Sequence, residues 1–170
     1  MNSYQGKIVR VTVETVELPD GRSFELERVW HPGGAAAVAL DEQGKVCLLR
    51  QYRAIASAWI WEVPAGKRDN GEDPGDTIRR ELREEAGIEA RQWTGLGSYF
   101  SSPGIFDEVI HLWLARGLSF GEREPEPHEL IEVHWFPLDQ ALEMADRGEI
   151  VDGKTLVALY RARDLLRRGG

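Results

Sequence analysis

The segment that most constrains the fold runs from residue 64 to residue 88 and encodes a loop followed by a helix. Asp73 is a good N-cap, and Pro74 suits the first helical position because the N–H that it lacks would have no partner there. Gly87 suits the position just after the helix, where the chain turns left-handed. The sequence therefore predicts a helix over residues 74–86, and its narrow apolar stripe consists of Ile78, Leu82 and Ala86.

Three glutamates share one side of this predicted helix, beside the apolar stripe. At about 100° per residue, Glu81, Glu84 and Glu85 fall within an arc of about 100°. Like charges at this spacing repel each other by roughly 0.2–0.5 kcal/mol per pair, and neighbouring arginines offset part of that cost. The acids alone are compatible with a solvated, salt-bridged helix face or with a surface-facing set of metal ligands.

Composition places the chain among soluble globular proteins. Apolar residues make up 42% and charged residues 29% of the 170 residues, which is enough for one domain with a core. No apolar run approaches the roughly 20 residues that cross a bilayer, and the N-terminus lacks a signal-peptide pattern. The single cysteine, Cys47, excludes an internal disulfide. We expect a cytoplasmic protein with no membrane partner.

The net charge of −8 limits the class of partner. A broad nucleic-acid surface needs clustered lysines and arginines to neutralise phosphates, so we expect no nucleic-acid partner. A small phosphorylated substrate is compatible with this charge, because acidic sites bind phosphates through divalent cations.

The N-terminal segment predicts a β-hairpin. Residues 7–17 and 23–30 alternate apolar and polar positions on either side of the turn at 18–21. An isolated hairpin is marginal in water, so this one must pack on the main domain or on a second subunit. The break at 31–34 predicts a boundary, with an N-terminal β-domain at 1–33 and a main domain at 34–170.

The rest of the chain mixes strands with helices. Strands are predicted at 35–40 and 45–52 around a turn at 41–44, and further strands and helices at 59–63, 93–100, 108–116, 130–136, 138–147 and 153–168. This pattern predicts an α/β fold with a mixed sheet that helices cover on both faces.

The complete pattern between Gly66 and Ile88 is far more specific than the acids alone. Five residues separate Gly66 from Glu72, and seven more precede the run Arg80-Glu81-Leu82-Arg83-Glu84-Glu85-Ala86-Gly87-Ile88. This matches the Nudix box at every specified position, so the chain resembles the Nudix hydrolases. The resemblance covers roughly residues 35–165 in layout, and its high specificity is confined to 64–88.

The resemblance implies an α/β/α sandwich in which the box binds Mg²⁺ or Mn²⁺, on the order of two or three ions. The implied ligands are Glu81, Glu85 and the backbone carbonyl of Ala65. Glu84 either shares in binding the ion or contacts one of its ligands.

The resemblance further implies supporting roles for three residues of the box. Glu72 and Arg80 would brace the loop and orient the acids, and Gly66 would permit a tight backbone bend.

Residues outside the box resemble the ADP-ribose pyrophosphatase subgroup. These are the run Ser101-Ser102-Pro103-Gly104, the acid pair Asp107-Glu108, and the strand end Arg50-Gln51-Tyr52-Arg53. The resemblance implies hydrolysis of ADP-ribose to AMP and ribose 5-phosphate, with Arg53 on the diphosphate. It places Ser102, Gly104 and Glu108 on the distal ribose. It also implies a homodimer whose exchanged N-terminal domain covers the adenine, with Arg28 as a contributor.

The catalytic base is the least determined residue. In the subgroup it is a glutamate on a loop before a late strand, which corresponds here to residues 121–129. That loop has four glutamates and two prolines, so its register is ambiguous. Glu129 is the first candidate and Glu126 the second, and Glu84 is a further acid close to the chemistry.

Other functions remain open at this point. The substrate could be another nucleotide-sugar, such as ADP-glucose or GDP-mannose, or a dinucleotide cofactor such as FAD. A ligand-sensing Nudix regulator is the alternative from a different class. The intact box and the small number of basic residues near the C-terminus disfavour it.

Overall fold

The computed structural model describes residues 3–69 and 71–169. In these ranges the strands are β1 (Ser3–Gln5), β2 (Arg10–Glu17), β3 (Ser23–Trp30), β4 (Gly34–Ala39), β5 (Lys45–Arg53), β6 (Ala58–Glu62), β7 (Ala65–Lys67), β8 (Ile88–Phe100), β9 (Val109–Phe120) and β10 (Ile131–Pro137). The helices are α1 (Pro74–Ala86), α2 (Leu138–Asp146) and α3 (Gly153–Arg168). None of these helices is long and apolar enough to cross a membrane.

The first three strands form a separate antiparallel sheet in the order β1-β2-β3, which confirms the predicted hairpin and adds a strand to it. The turn closes with a hydrogen bond from the Gly21 N–H to the Leu18 carbonyl. Backbone bonds dock β3 on the loop before β9. The Val29 N–H donates to the Ile105 carbonyl, and the Asp107 N–H donates to the Val29 carbonyl. The boundary after residue 33 stays a prediction. Of the two predicted domains, residues 1, 2, 70 and 170 lie outside the described residues.

Two further sheets form the main body. One is mixed, in the order β7-β4-β9-β8, with β4 parallel to β9, and the other is antiparallel, in the order β10-β5-β6. Strands β4 and β5 flank the predicted turn but belong to different sheets, and the single bridge Leu40–Val46 joins them. Strand β7 was not predicted, because a strand of three residues is too short to show an alternating apolar and polar pattern.

The core lies on both faces of β4, all of whose residues are buried. Ala35, Ala37 and Ala39 pack toward the α1 residues Ile78 and Leu82. Ala36 and Val38 pack on the opposite side, in the cluster that includes buried residues of α2 and α3. Helices therefore cover both faces, as in the expected α/β/α sandwich, and the small alanines let α1 approach the sheet closely.

Helix α1 has the predicted bounds for the predicted reasons. The Asp73 carboxylate accepts from the Gly75 N–H at 2.8 Å, and Pro74 opens the helix. Gly87 has φ +66°, and its N–H caps the carbonyl of Arg83 at 2.8 Å. These caps fix which residues of the acidic run belong to the helix and therefore which side they face.

Candidate active site

A cavity of about 630 Å³ opens where β7, α1, the loop at 121–130 and the start of α3 meet. More acidic than basic side chains line it, and the acidic ones are Asp69, Glu81, Glu84, Glu85, Glu108, Glu126, Glu129 and Asp152. The basic side chains in the lining are fewer: Arg53, Lys67, Arg80 and Lys154, with His31 and His128. Such a cavity binds an anion only if cations offset its negative charge.

Glu85 is the least exposed of the clustered acids. It is 2% exposed, so the expectation that it faces the surface is wrong. Its Oε2 accepts the Ala65 N–H of β7 at 2.9 Å. Burial raises the pKa of Glu85 well above its usual value, and the nearby Glu81 and Glu129 carboxylates add to this effect. A bound cation would stabilise the ionised form of this carboxylate.

Gly66 lies directly against Glu81. A Cβ at position 66 would stand 2.0 Å from the Glu81 carboxyl carbon, so a side chain there would require Glu81 to move. Gly66 lies in β7 and is not among the positive-φ glycines, so its φ alone does not require a glycine, and its role in a backbone bend stays a prediction. The absence of a Cβ lets the Glu81 carboxylate rest on the strand beside Glu85.

Arg80 links the acids to the loop before the helix. Its guanidinium donates to Glu72 at 3.1 and 3.2 Å, to Glu81 at 2.8 Å and to Glu84 at 3.1 Å. Hydrogen bonds from Arg80 lower the pKa of Glu72 to about 2. Glu72 also accepts from the Thr77 hydroxyl at 2.9 Å, and it is not among the residues that line the cavity.

The donor set suits a hard divalent cation, because Glu81, Glu84 and Glu85 offer carboxylate oxygens beside the backbone of Ala65. In residues 3–69 and 71–169, no three acidic, histidine or cysteine side chains already converge in metal-binding geometry. The Arg80 Nη1 atom lies between Glu81 and Glu84 and donates to both. These residues could bind an ion once Arg80 releases at least one of them.

The loop that carries the base candidates is anchored to the C-terminal end of α1. The Gly121 N–H donates to the Gly87 carbonyl at 2.8 Å, and the Glu124 N–H donates to the Glu84 carbonyl at 2.9 Å. Both Glu126 and Glu129 line the cavity. Glu129 accepts the Glu126 N–H at 2.9 Å, whereas the Glu126 side chain pairs with the exposed His128 at 3.2 Å.

Arg53 lines the cavity at the end of β5, but a buried acid already binds part of its guanidinium. Its Nε and Nη2 each donate to Glu62 at 2.7 Å, and Lys154 contacts the same carboxylate. Neither Glu62 nor Lys154 belongs to a sequence pattern that predicted a role at the site. One feature of the sequence could have drawn attention to Lys154: it lies in the first turn of a helix, where the helix dipole favours acidic residues.

The expected ribose contacts separate in the structure. Glu108 lines the cavity, with its Oε1 3.0 Å from the His31 Nδ1. Ser101 lines it as well, whereas Ser102 does not, and the Ser102 carbonyl accepts from the Phe106 N–H at 2.8 Å.

A second depression, of about 360 Å³, is lined by Arg28 and Gly104. Arg28 pairs there with Glu14 at 3.0 Å and lies 4.6 Å from the centre of the Trp30 ring. Of the expected substrate contacts, Arg53 and Glu108 therefore line the acidic cavity of the same chain, and Arg28, Ser102 and Gly104 do not.

Gly66→Ala should displace the Glu81 carboxylate while leaving the fold intact. A Cβ at 2.0 Å from the carboxyl carbon is far inside the roughly 3.5 Å contact distance, and the flexible Glu81 side chain moves more easily than β7. A crystal structure of the variant should show Glu81 shifted by about 1 Å or more. Gly95→Ala is the matched control, because nothing lies within 4 Å of its Cβ. An unmoved Glu81 would contradict the close-packing argument.

One family model and several known proteins match most of the chain. The NUDIX domain model matches residues 30–159. The chain is 39% identical to ADP-ribose pyrophosphatase of Bacillus subtilis and 40% identical to a methanol dehydrogenase activator of Bacillus methanolicus, in each case over 92% of this chain and 85% of the relative. A solved ADP compounds hydrolase superposes with a TM-score of 0.83 at 21% identity, over 98% of this chain and 91% of that one.

Proposed function

The chain belongs to the Nudix family, and from that premise we propose that it hydrolyses the diphosphate bond of ADP-ribose to AMP and ribose 5-phosphate. The observation that carries the proposal is the acid cluster, in which the buried Glu85 lies beside Glu81 at the wall of a cavity that Arg53 also lines. The similarity to an ADP-ribose pyrophosphatase over most of both chains supports this choice of substrate.

We propose that Mg²⁺ or Mn²⁺ binds to Glu81, Glu84, Glu85 and the Ala65 carbonyl. A divalent ion held by these residues would neutralise the charge of the diphosphate and lower the pKa of a water molecule. Arg80 keeps the carboxylates from repelling each other before the ion binds, because it donates to Glu81 and Glu84. Glu72, which is not part of the cavity lining, holds Arg80 in place by accepting two hydrogen bonds from its guanidinium.

The other residues of the cavity orient the substrate and accept a proton. Arg53 binds the diphosphate, and Glu108 accepts hydrogen bonds from the distal ribose. One carboxylate of the loop at 121–129 accepts a proton from the attacking water, whose oxygen bonds to one phosphorus while the bridging oxygen leaves with the other. Glu129 is the better candidate, because its carboxylate is near enough to Glu81 and Glu85 for its charge to raise the pKa of both.

We also propose that the N-terminal sheet completes the site of a second copy in a homodimer. Arg28 lies outside the acidic cavity of its own chain, on a depression that Gly104 also lines. Tyr4 and Phe24, on strands of this sheet, are exposed apolar side chains that a partner subunit would cover. In that arrangement Arg28 contributes to adenine binding, and Ser102 and Gly104 shape the loop on the ribose side.

A substrate panel in the presence of Mg²⁺ tests the proposal. ADP-ribose should yield AMP and ribose 5-phosphate with a kcat/KM at least about tenfold above those of ADP-glucose, GDP-mannose, FAD, NADH and dGTP. Cleavage of another substrate without cleavage of ADP-ribose would keep the diphosphate chemistry and overturn the substrate. A ligand-sensing regulator would bind one of these compounds and cleave none.

Glu85→Gln should lower kcat by about three orders of magnitude, because it removes one charge from the metal site. Folding should be preserved, since an amide oxygen can still accept the Ala65 N–H and no buried charge remains to be desolvated. Enzyme kinetics and thermal unfolding measure the two effects. The control is Glu89→Gln on the exposed side of β8, which should leave both values unchanged. Near-wild-type kcat in Glu85→Gln would disprove its assignment as a ligand.

Glu129→Gln and Glu126→Gln should separate the two base candidates. We expect Glu129→Gln to lower kcat by about 100-fold or more, the usual contribution of a general base, and Glu126→Gln to act weakly. The pH dependence of kcat should change only in the variant that lacks the base. The reverse ranking would assign the base to Glu126, and full activity in both variants would exclude a glutamate of this loop.

A further inference from the structure

Glu62 is a buried acid behind the wall of the cavity. Its side chain is 3% exposed and is not part of the lining, although it binds two residues that are. Its oxygens accept from the Arg53 Nε and Nη2 at 2.7 Å, and the Lys154 ammonium also donates to it. One carboxylate thus connects the end of β5 to the start of α3.

Lys154 occupies an unfavourable position for a lysine. It lies in the first turn of α3, where the helix dipole repels cations, and only 16% of its side chain is exposed. Glu62 and the helix N-cap Asp152 hold it there, the latter at 3.0 Å. A lysine that contributed only charge to the surface would be better placed almost anywhere else on this helix. Its position at the cavity wall suggests a role toward a ligand.

Both cations keep donors for an anion. Within residues 3–69 and 71–169, Arg53 donates to Glu62 through Nε and Nη2, which leaves Nη1 without an acceptor. The Lys154 ammonium donates to Glu62 and Asp152, and its third N–H is likewise left over. Arg80, by contrast, is engaged by three glutamates. Lys67, the other lysine of the lining, lies in β7 and pairs with Asp69 at 3.4 Å. Arg53 and Lys154 are the two cations of the lining that one carboxylate joins and that each keep a donor for phosphate oxygens.

We propose that Arg53 and Lys154 form a cationic clamp for the diphosphate of the substrate, and that Glu62 is the positioning residue that fixes the two cations relative to each other. The inference rests on the proposed function and adds Lys154 and Glu62 to it. The clamp binds phosphate oxygens on the side of α3, whereas the acids of α1 require a metal ion for the same purpose. It therefore contributes affinity that does not depend on the metal.

Lys154→Met tests the clamp by removing the charge and keeping the length of the side chain. Titration calorimetry of ADP-ribose into EDTA-treated protein should show a Kd raised by about tenfold, the value of one charge-assisted hydrogen bond. With Mg²⁺ present, KM should rise more than kcat falls. Lys45→Met is the matched control: it removes the same charge at the opposite end of β5, about 26 Å from Arg53.

The outcomes separate the clamp from the proposed function. Wild-type protein that neither binds nor cleaves ADP-ribose would overturn both. Wild-type protein that cleaves ADP-ribose, combined with an unchanged Kd and KM in Lys154→Met, would overturn the clamp alone. Binding of adenosine, which has no phosphate, should be the same in wild type and variant, and an equal loss for adenosine would also overturn the clamp.

Glu62→Gln, combined with Lys154→Met, tests the positioning role. The double variant should lose less affinity for ADP-ribose than the product of the two single losses, because Glu62 acts through the cations. Independent, multiplicative losses would overturn positioning. If Glu62→Gln does not fold, Glu62→Asp serves instead: it keeps the charge, but its shorter side chain cannot reach both cations. An unchanged Kd in a folded Glu62→Asp would also overturn the role.

Discussion

The Arg80 guanidinium donates to Glu72, Glu81 and Glu84, and the arrangement of the acidic helix face depends on these contacts. Without them, several carboxylates would face one another across a confined space, where their repulsion is strong. Arg80 offsets that repulsion from one side and ties the helix to the preceding loop through Glu72. The same contacts leave Glu85 apart, buried against β7 with the Ala65 N–H as its hydrogen-bond donor.

Two groups of acids at the cavity are paired with cations. Arg80 pairs with Glu81 and Glu84 of its own helix, α1, whereas Arg53 of β5 and Lys154 of α3 meet at Glu62 of β6. The substrate that we propose is itself an anion, so it must compete with these carboxylates for cations. Metal ions on α1 and a protein clamp at α3 would meet that requirement from two sides of the diphosphate.

Local signals in the sequence predicted helix α1, its caps and the family, because Asp73, Pro74 and Gly87 act on their own neighbours along the chain. The burial of Glu85 could not be predicted in this way. It depends on β7, a strand of three residues that has no periodicity and pairs with β4. The need for glycine at position 66 could not be predicted either, because it arises from the Glu81 side chain, which fills the space that a Cβ at position 66 would occupy. Glu62 and Lys154 are 92 residues apart, and only the folded chain brings them together.

Diffraction from Mn²⁺-soaked crystals, recorded at the manganese absorption edge, tests the central claim most directly. We predict an anomalous peak in contact with Glu81, Glu84 and Glu85, together with loss of at least one hydrogen bond from Arg80 to Glu81 or Glu84. A structure in which manganese binds elsewhere, while Arg80 still joins Glu81 to Glu84, would contradict the assignment of this acid cluster as the metal site.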